Sequence, residues 1–164
     1  MSDLPARDLI FCVLRPALLT GLLFPVCVTD IRRRTIGNGW CIAIGSCGLL
    51  LFAVEAFLSR PDWIPVFTSA GAGALAAALL CLLCRLVSKE GFGMGDVKLV
   101  LAMGLFLGLD RFLRAMALTG VLTLAGAVWL LLVRHANKTD TLPLAPFLTA
   151  GALLATVGDI VMIL

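Results

Sequence analysis

Charge is what this chain has least of. Asp, Glu, Lys and Arg make up 14% of its 164 residues, against about 25% in a soluble domain. Apolar residues make up 61%, with 16 glycines besides, and mean hydropathy is +1.08. A water-soluble globule of this size cannot hide so much apolar surface. A soluble enzyme is therefore excluded, and so is a disordered chain; the solvent for most of the protein is the lipid bilayer. Net charge is +3, too little to argue for nucleic acid, and no nucleic-acid partner is expected. Histidine is nearly absent. His135 stands alone, which argues against a Ser or Cys nucleophile with a His base and against a zinc site, which needs four ligands. The six cysteines, Cys12, Cys27, Cys41, Cys47, Cys81 and Cys84, all lie in apolar runs and read as small packing residues. Cys81 and Cys84 have CxxC spacing without a second pair or flanking polar ligands. Neither a metal site, a disulfide framework nor a cofactor is expected.

What the chain does have is long apolar runs. A helix needs about 20 apolar residues to cross the hydrocarbon. Leu9 to Thr29, Thr35 to Val54, Trp63 to Cys84, Ala115 to Val133 and Thr141 to Gly158 each come close to or reach that length, and only the first contains a charge, Arg15. Leu99 to Leu109 is short, and fits only if its helix starts near Asp96 and sits recessed in the bundle or in thinned bilayer. The expected fold is an all-α membrane protein of six transmembrane helices, the fourth short, forming one domain over residues 1–164. The first run lacks an A-x-A-like cleavage site and is followed by Asp30 and three Arg, so it reads as a retained helix. Pro16 kinks that helix or marks its start.

Orientation follows from Lys and Arg in short loops. Arg32, Arg33, Arg34, Arg85, Lys89, Lys98, Arg134 and Lys138 fall on one side, and Arg7, Arg60, Arg111 and Arg114 on the other. The first group is expected in the cytoplasm, with both termini outside.

Two of the ten acids have specific surroundings. Asp30 ends the first helix ahead of Arg32, Arg33 and Arg34. It reads either as an interfacial acid balancing those charges or as a functional carboxylate at membrane depth. Asp96 follows Gly91-Phe92-Gly93-Met94-Gly95, and reads either as an N-cap or as a carboxylate at a helix N-terminus beside a Gly-rich access loop. Parity links them. Asp30 follows one crossing, Asp96 three, and the segment Leu142-Pro143-Leu144-Ala145-Pro146-Phe147 five, so all three share one membrane face. If the first and fourth helices pack together, the carboxylates meet. Two close carboxylates cannot both ionise easily and share a proton, which is the machinery of an aspartic protease. Glu55, Asp110 and Asp159 fall on the opposite face, where their loss is expected to matter little to catalysis.

These segments resemble the prepilin peptidases, or type IV leader peptidases, intramembrane aspartyl proteases of the GxGD type. Three blocks carry the resemblance in order: Asp30-Ile31-Arg32-Arg33-Arg34-Thr35-Ile36-Gly37-Asn38, Gly93-Met94-Gly95-Asp96-Val97-Lys98-Leu99, and Leu142-Pro143-Leu144-Ala145-Pro146-Phe147. The resemblance implies catalytic aspartates at Asp30 and Asp96, and removal of the leader from prepilin or pseudopilin precursors at the cytoplasmic face of a prokaryotic inner membrane, just before the mature apolar helix. Gly93 and Gly95 carry over as motif glycines admitting the substrate backbone. Asn38, Pro143 and Pro146 carry over as motif residues, and Arg32, Arg33 and Arg34 serve topology or substrate docking. Lys98 carries over with two readings, biasing the ionisation of Asp96 or snorkelling to the interface. Gly37 stands where the family usually has Pro. Larger members add a methyltransferase region with paired CxxC motifs, which this sequence does not show, so a protease-only form of pilus or tight-adherence secretion systems is expected.

Three rivals compete. A presenilin-type protease pairs GxGD with a Tyr-Asp motif, and this chain has no Tyr. A small transporter or proton relay would suit two intramembrane acids, but no internal repeat is evident. A non-catalytic assembly subunit is disfavoured by the presence of both Asp30 and Asp96.

Overall fold

The computed structural model describes residues 6–33, 36–58, 63–87, 93–134 and 144–163. Among them are six helices and no strand: α1 (Ala6–Arg33), α2 (Asn38–Leu58), α3 (Trp63–Val87), α4 (Met94–Leu107), α5 (Leu109–Arg134) and α6 (Ala145–Ile163). The apolar runs locate all six. The differences lie at charged ends. The α1 helix continues through Asp30 to Arg33, and α5 begins at Leu109, taking in Asp110, Arg111 and Arg114 ahead of the apolar run. Backbone hydrogen bonding does not require apolar side chains, so a helix outruns its lipid-compatible stretch once it reaches headgroup or water. Pro16 lies within α1 and does not mark its start.

Among the described residues three helices are long and apolar enough to cross a membrane, Asn38–Leu58, Ile64–Val87 and Leu109–Leu130, and Ala145–Gly158 is a shorter apolar stretch. Their outer faces are apolar: Ile42, Leu50, Leu75 and Leu124 are all largely exposed. A surface of this kind is stable against lipid and unstable against water.

The shortest helix is the central one. The α4 helix packs chiefly on α2 and α3, whereas α1 packs chiefly on α6 and α5 on α6. Leu99, Val100, Met103, Phe106 and Leu107 of α4 are all buried, in keeping with a recessed segment. Its 14 residues extend about 21 Å at 1.5 Å per residue, well short of the roughly 30 Å hydrocarbon. Close packing replaces length. Gly73 of α3 and Gly104 of α4 face each other so closely that a Cβ on either would strike the other's backbone. This is how helices approach in lipid, where packing rather than water drives association. The turn from α4 into α5 is Gly108, at φ +74°, where a Cβ would also lie 2.7 Å from Ser69 Oγ.

Candidate active site

Segments far apart in the chain meet at the end of the bundle where α1 finishes and α4 and α6 begin. Asp30, in the last turn of α1, is buried at 7% exposure. Its Oδ2 accepts a hydrogen bond from the Ala145 backbone N–H at 3.1 Å. Ala145 is the first residue of α6, and the first N–H groups of a helix have no partner within it. Pro146 follows, with no N–H to satisfy, as suits a first helical turn. A carboxylate from α1 thus caps α6 across a sequence separation of 115 residues, with the favourable end of the helix dipole toward it.

Asp96 is half-buried in the first turn of α4. It is not the N-cap. That position is Gly93, three residues earlier and without a side-chain cap, and the Gly93 carbonyl accepts from Val97 N–H at 3.1 Å. The Asp96 carboxylate folds back over Gly93, where a Cβ would sit 3.0 Å from Oδ2. Gly93 therefore makes room for the carboxylate itself. Gly95 makes room for Ile36, whose Cβ lies 3.1 Å from where a Cβ of Gly95 would be. A short segment after α1 is thereby wedged against the start of α4.

Asp30 and Asp96 are close enough for the charge of one to act on the other. The helices that carry them, α1 and α4, are not a principal packing pair; Asp30 is anchored to the start of α6 and Ile36 packs on Gly95 beside Asp96. Lys98 is exposed and donates from Nζ to Asn38 Oδ1 at 2.9 Å, tying α4 to the first residue of α2. Cys41 of α2 and Cys81 of α3 also lie within electrostatic range of Asp96, and the Cys81 thiol faces the Val97 carbonyl. Arg32 is exposed and Arg33 ends α1. Arg34, Pro143 and His135 lie outside the described residues. Among the described residues no three His, Cys, Asp or Glu side chains gather as metal ligands would.

One polar cluster escaped the sequence reading. Arg15 of α1 is buried at 1% exposure and pairs through Nη2 with Glu55 of α2. Its Nη1 donates to the Phe106 carbonyl at 3.2 Å, and its guanidinium lies 4.1 Å from the centroid of the Phe52 ring. Glu55 is therefore no free interfacial acid. The signal available was Arg15 itself, a lone charge in an apolar run, which in lipid demands an opposite charge at matching depth.

The model of the type IV leader peptidase family matches residues 17–131, a stretch containing both Asp30 and Asp96. The chain is similar to the prepilin leader peptidase/N-methyltransferase of Bacillus subtilis (strain 168), at 34% identity over 140 residues, covering 82% of this chain and 52% of that protein. It is also similar to the protein of the same name from Aeromonas hydrophila, at 27% identity over 144 residues, covering 87% of this chain and 49% of that one. The chain spans about half the length of the curated relatives it matches. No solved structure matches it significantly.

Proposed function

The chain belongs to the type IV leader peptidase family, and from this we propose that it is an intramembrane aspartic endopeptidase that removes the leader peptide of type IV pilin-like precursors. Asp30 and Asp96 are the catalytic pair. One carboxylate takes a proton from water as the oxygen attacks the scissile carbonyl carbon. The other, carrying the shared proton, gives it to the carbonyl oxygen; the first then passes the proton taken from water to the leaving nitrogen as the C–N bond breaks, and the second takes its proton back as the new carboxyl group forms. The observation that supports this reading is that two carboxylates 66 positions apart lie within range of each other's charge, one capping α6 and the other at the start of α4. Like charges do not gather in an apolar bundle without a scaffold that holds them.

All six helices cross the membrane in this proposal, with both termini outside and the aspartates at the cytoplasmic face of the inner membrane. The exposed Arg32 and its neighbours after α1 support that orientation. Prepilin or pseudopilin precursors are the substrates, and a pilus or tight-adherence secretion machinery is the setting.

Co-expression with a candidate prepilin tests the reading. Wild type should shorten the pilin on a gel, whereas Asp30→Asn and Asp96→Asn should each leave it intact while inserting normally. Cleavage by either variant at the wild-type rate overturns the dyad.

A further inference from the structure

A charge in the hydrocarbon is costly and is retained where it is paired and hydrogen-bonded. Arg15 has both kinds of partner, Glu55 on α2 and the Phe106 carbonyl on α4, with the Phe52 ring beneath it. Phe106 belongs to the last turn of α4, where carbonyls lack partners within the helix. Because α4 ends inside the bundle, water is not at hand to satisfy them. A cation also suits the negative end of the helix dipole. The other cation within electrostatic range of Arg15 is Arg111 of α5.

The tie has a particular address. Asp30 is on α1 and Asp96 on α4, and these two helices are not principal packing neighbours. The Arg15 hydrogen bond to the Phe106 carbonyl joins them directly. Arg15 lies 15 residues before Asp30, roughly 22 Å along α1, and Phe106 lies 10 residues after Asp96, roughly 15 Å along α4. The same two helices thus carry the carboxylate pair at one end and are joined by a guanidinium toward the other.

We infer that Arg15 is a positioning residue for the carboxylate pair, fixing the axial offset between α1 and α4 that sets Asp96 beside Asp30. The inference rests on the peptidase reading above. The planar guanidinium grips two acceptors on two helices at once in a fixed geometry, which the single ammonium of Lys cannot do. A displacement of about 1 Å at a reacting centre lowers rate by up to roughly a hundredfold, so a loosened offset acts on the chemical step.

The test compares wild type, Arg15→Lys and the double variant Arg15→Gln/Glu55→Gln, purified in lipid nanodiscs and assayed on a prepilin across pH. The double variant removes both charges and strands neither. Its kcat should fall between about tenfold and a hundredfold with KM within about twofold. Its pH–rate bell should narrow, the two limbs moving toward each other as the carboxylates separate and couple less. Arg15→Lys should recover part of both. The groups facing the pair, Cys41 on α2, Cys81 on α3, Lys98 on α4 and the Ala145 N–H of α6, are unchanged in all three proteins.

Wild-type kcat and bell width in the double variant overturn the inference. So does a lower kcat at unchanged width with no recovery in Arg15→Lys, which marks a structural role alone. Should the double variant fail to insert, Arg15→Lys carries the test, with narrowing expected and unchanged width overturning it. A wild type that cuts no prepilin, or an Asp30→Asn that cuts normally, defeats the peptidase reading and the inference with it.

Discussion

Helix α1 carries a buried ionisable side chain toward each end, and the fold treats the two in opposite ways. Arg15 is set against an opposite charge, a carbonyl and an aromatic ring. Asp30 is set within range of a second carboxylate, Asp96, and accepts a hydrogen bond from the Ala145 backbone N–H. The first arrangement offsets much of its own desolvation. The second contains a repulsion that the rest of the bundle must withstand. Unfavourable electrostatics maintained at one end and relieved at the other is the pattern expected of a site kept for chemistry rather than for stability.

The largest effect should come from breaking the like-charged end. Asp30→Asn and Asp96→Asn should each lower cleavage by about a thousandfold or more, toward or above the upper part of the range of a single general acid or base, because the two groups act as one unit. Neither should lower the midpoint of unfolding, since the amide matches the carboxyl group in size and, at Asp30, its Oδ1 can still accept from the Ala145 N–H. An Asn variant that lost activity by unfolding would remove the contrast between the two ends. Circular dichroism during denaturant titration checks this alongside the cleavage gel.

The opposite-charged end should show the reverse. Glu55→Leu leaves the Arg15 guanidinium buried without its counter-charge, as Arg15→Met leaves the Glu55 carboxylate, and the loss of a partner from a buried pair costs about 3–5 kcal/mol. The double variant Arg15→Met/Glu55→Leu removes both charges and should recover most of that stability. Unfolding titrations of the two singles and the double form a cycle, and simple additivity would argue against the pair. The expectation that Glu55 matters little to catalysis concerns a different property; here its loss is expected to act on the folded state.

A smaller loss should follow at the α4–α5 turn. Gly108 adopts φ +74° with Ser69 and Phe52 against its α-carbon, so Gly108→Ala meets both backbone strain and a clash. About 1–3 kcal/mol is expected, read by the same titration. A neutral substitution would mean that the turn relaxes without moving Phe106, and that the Arg15 tie tolerates such a shift.

The two ends were unequally legible in sequence. At the aspartate end, apolar run lengths locate the six helices, parity leads one to expect Asp30 and Asp96 at the same end, and Gly93 and Gly95 mark close approach. Parity could not show that Asp30 would cap α6 at Ala145, because an inter-helix hydrogen bond leaves no periodicity. Nor could it place Ile36 against Gly95, a contact made by a short segment outside the helices. The start of α4 at Met94 was hidden because Gly93 caps it without a side chain. At the other end, Arg15 was visible as a lone charge, but Glu55 sits 40 residues away near the end of α2. Depth in the bilayer relates the two, and depth is a property of how helices stack.

The exposed Lys98–Asn38 bond should give the smallest effect, and it separates the two readings of Lys98. The bond lies at the aspartate end but in solvent, where water replaces a lost partner, so roughly 1 kcal/mol or less is at stake. If Lys98 serves only to tie α4 to α2, Lys98→Met and Asn38→Ala remove the same bond. Each should then slow cleavage by the same small factor, and the double variant should be no slower than either single. If Lys98 acts electrostatically on Asp96, Lys98→Met alone should displace a limb of the pH–rate profile, whereas Asn38→Ala, which leaves the ammonium in place, should not. Equal singles with an unchanged profile would make Lys98 a structural tether, and would leave the chemistry of that end to the two carboxylates.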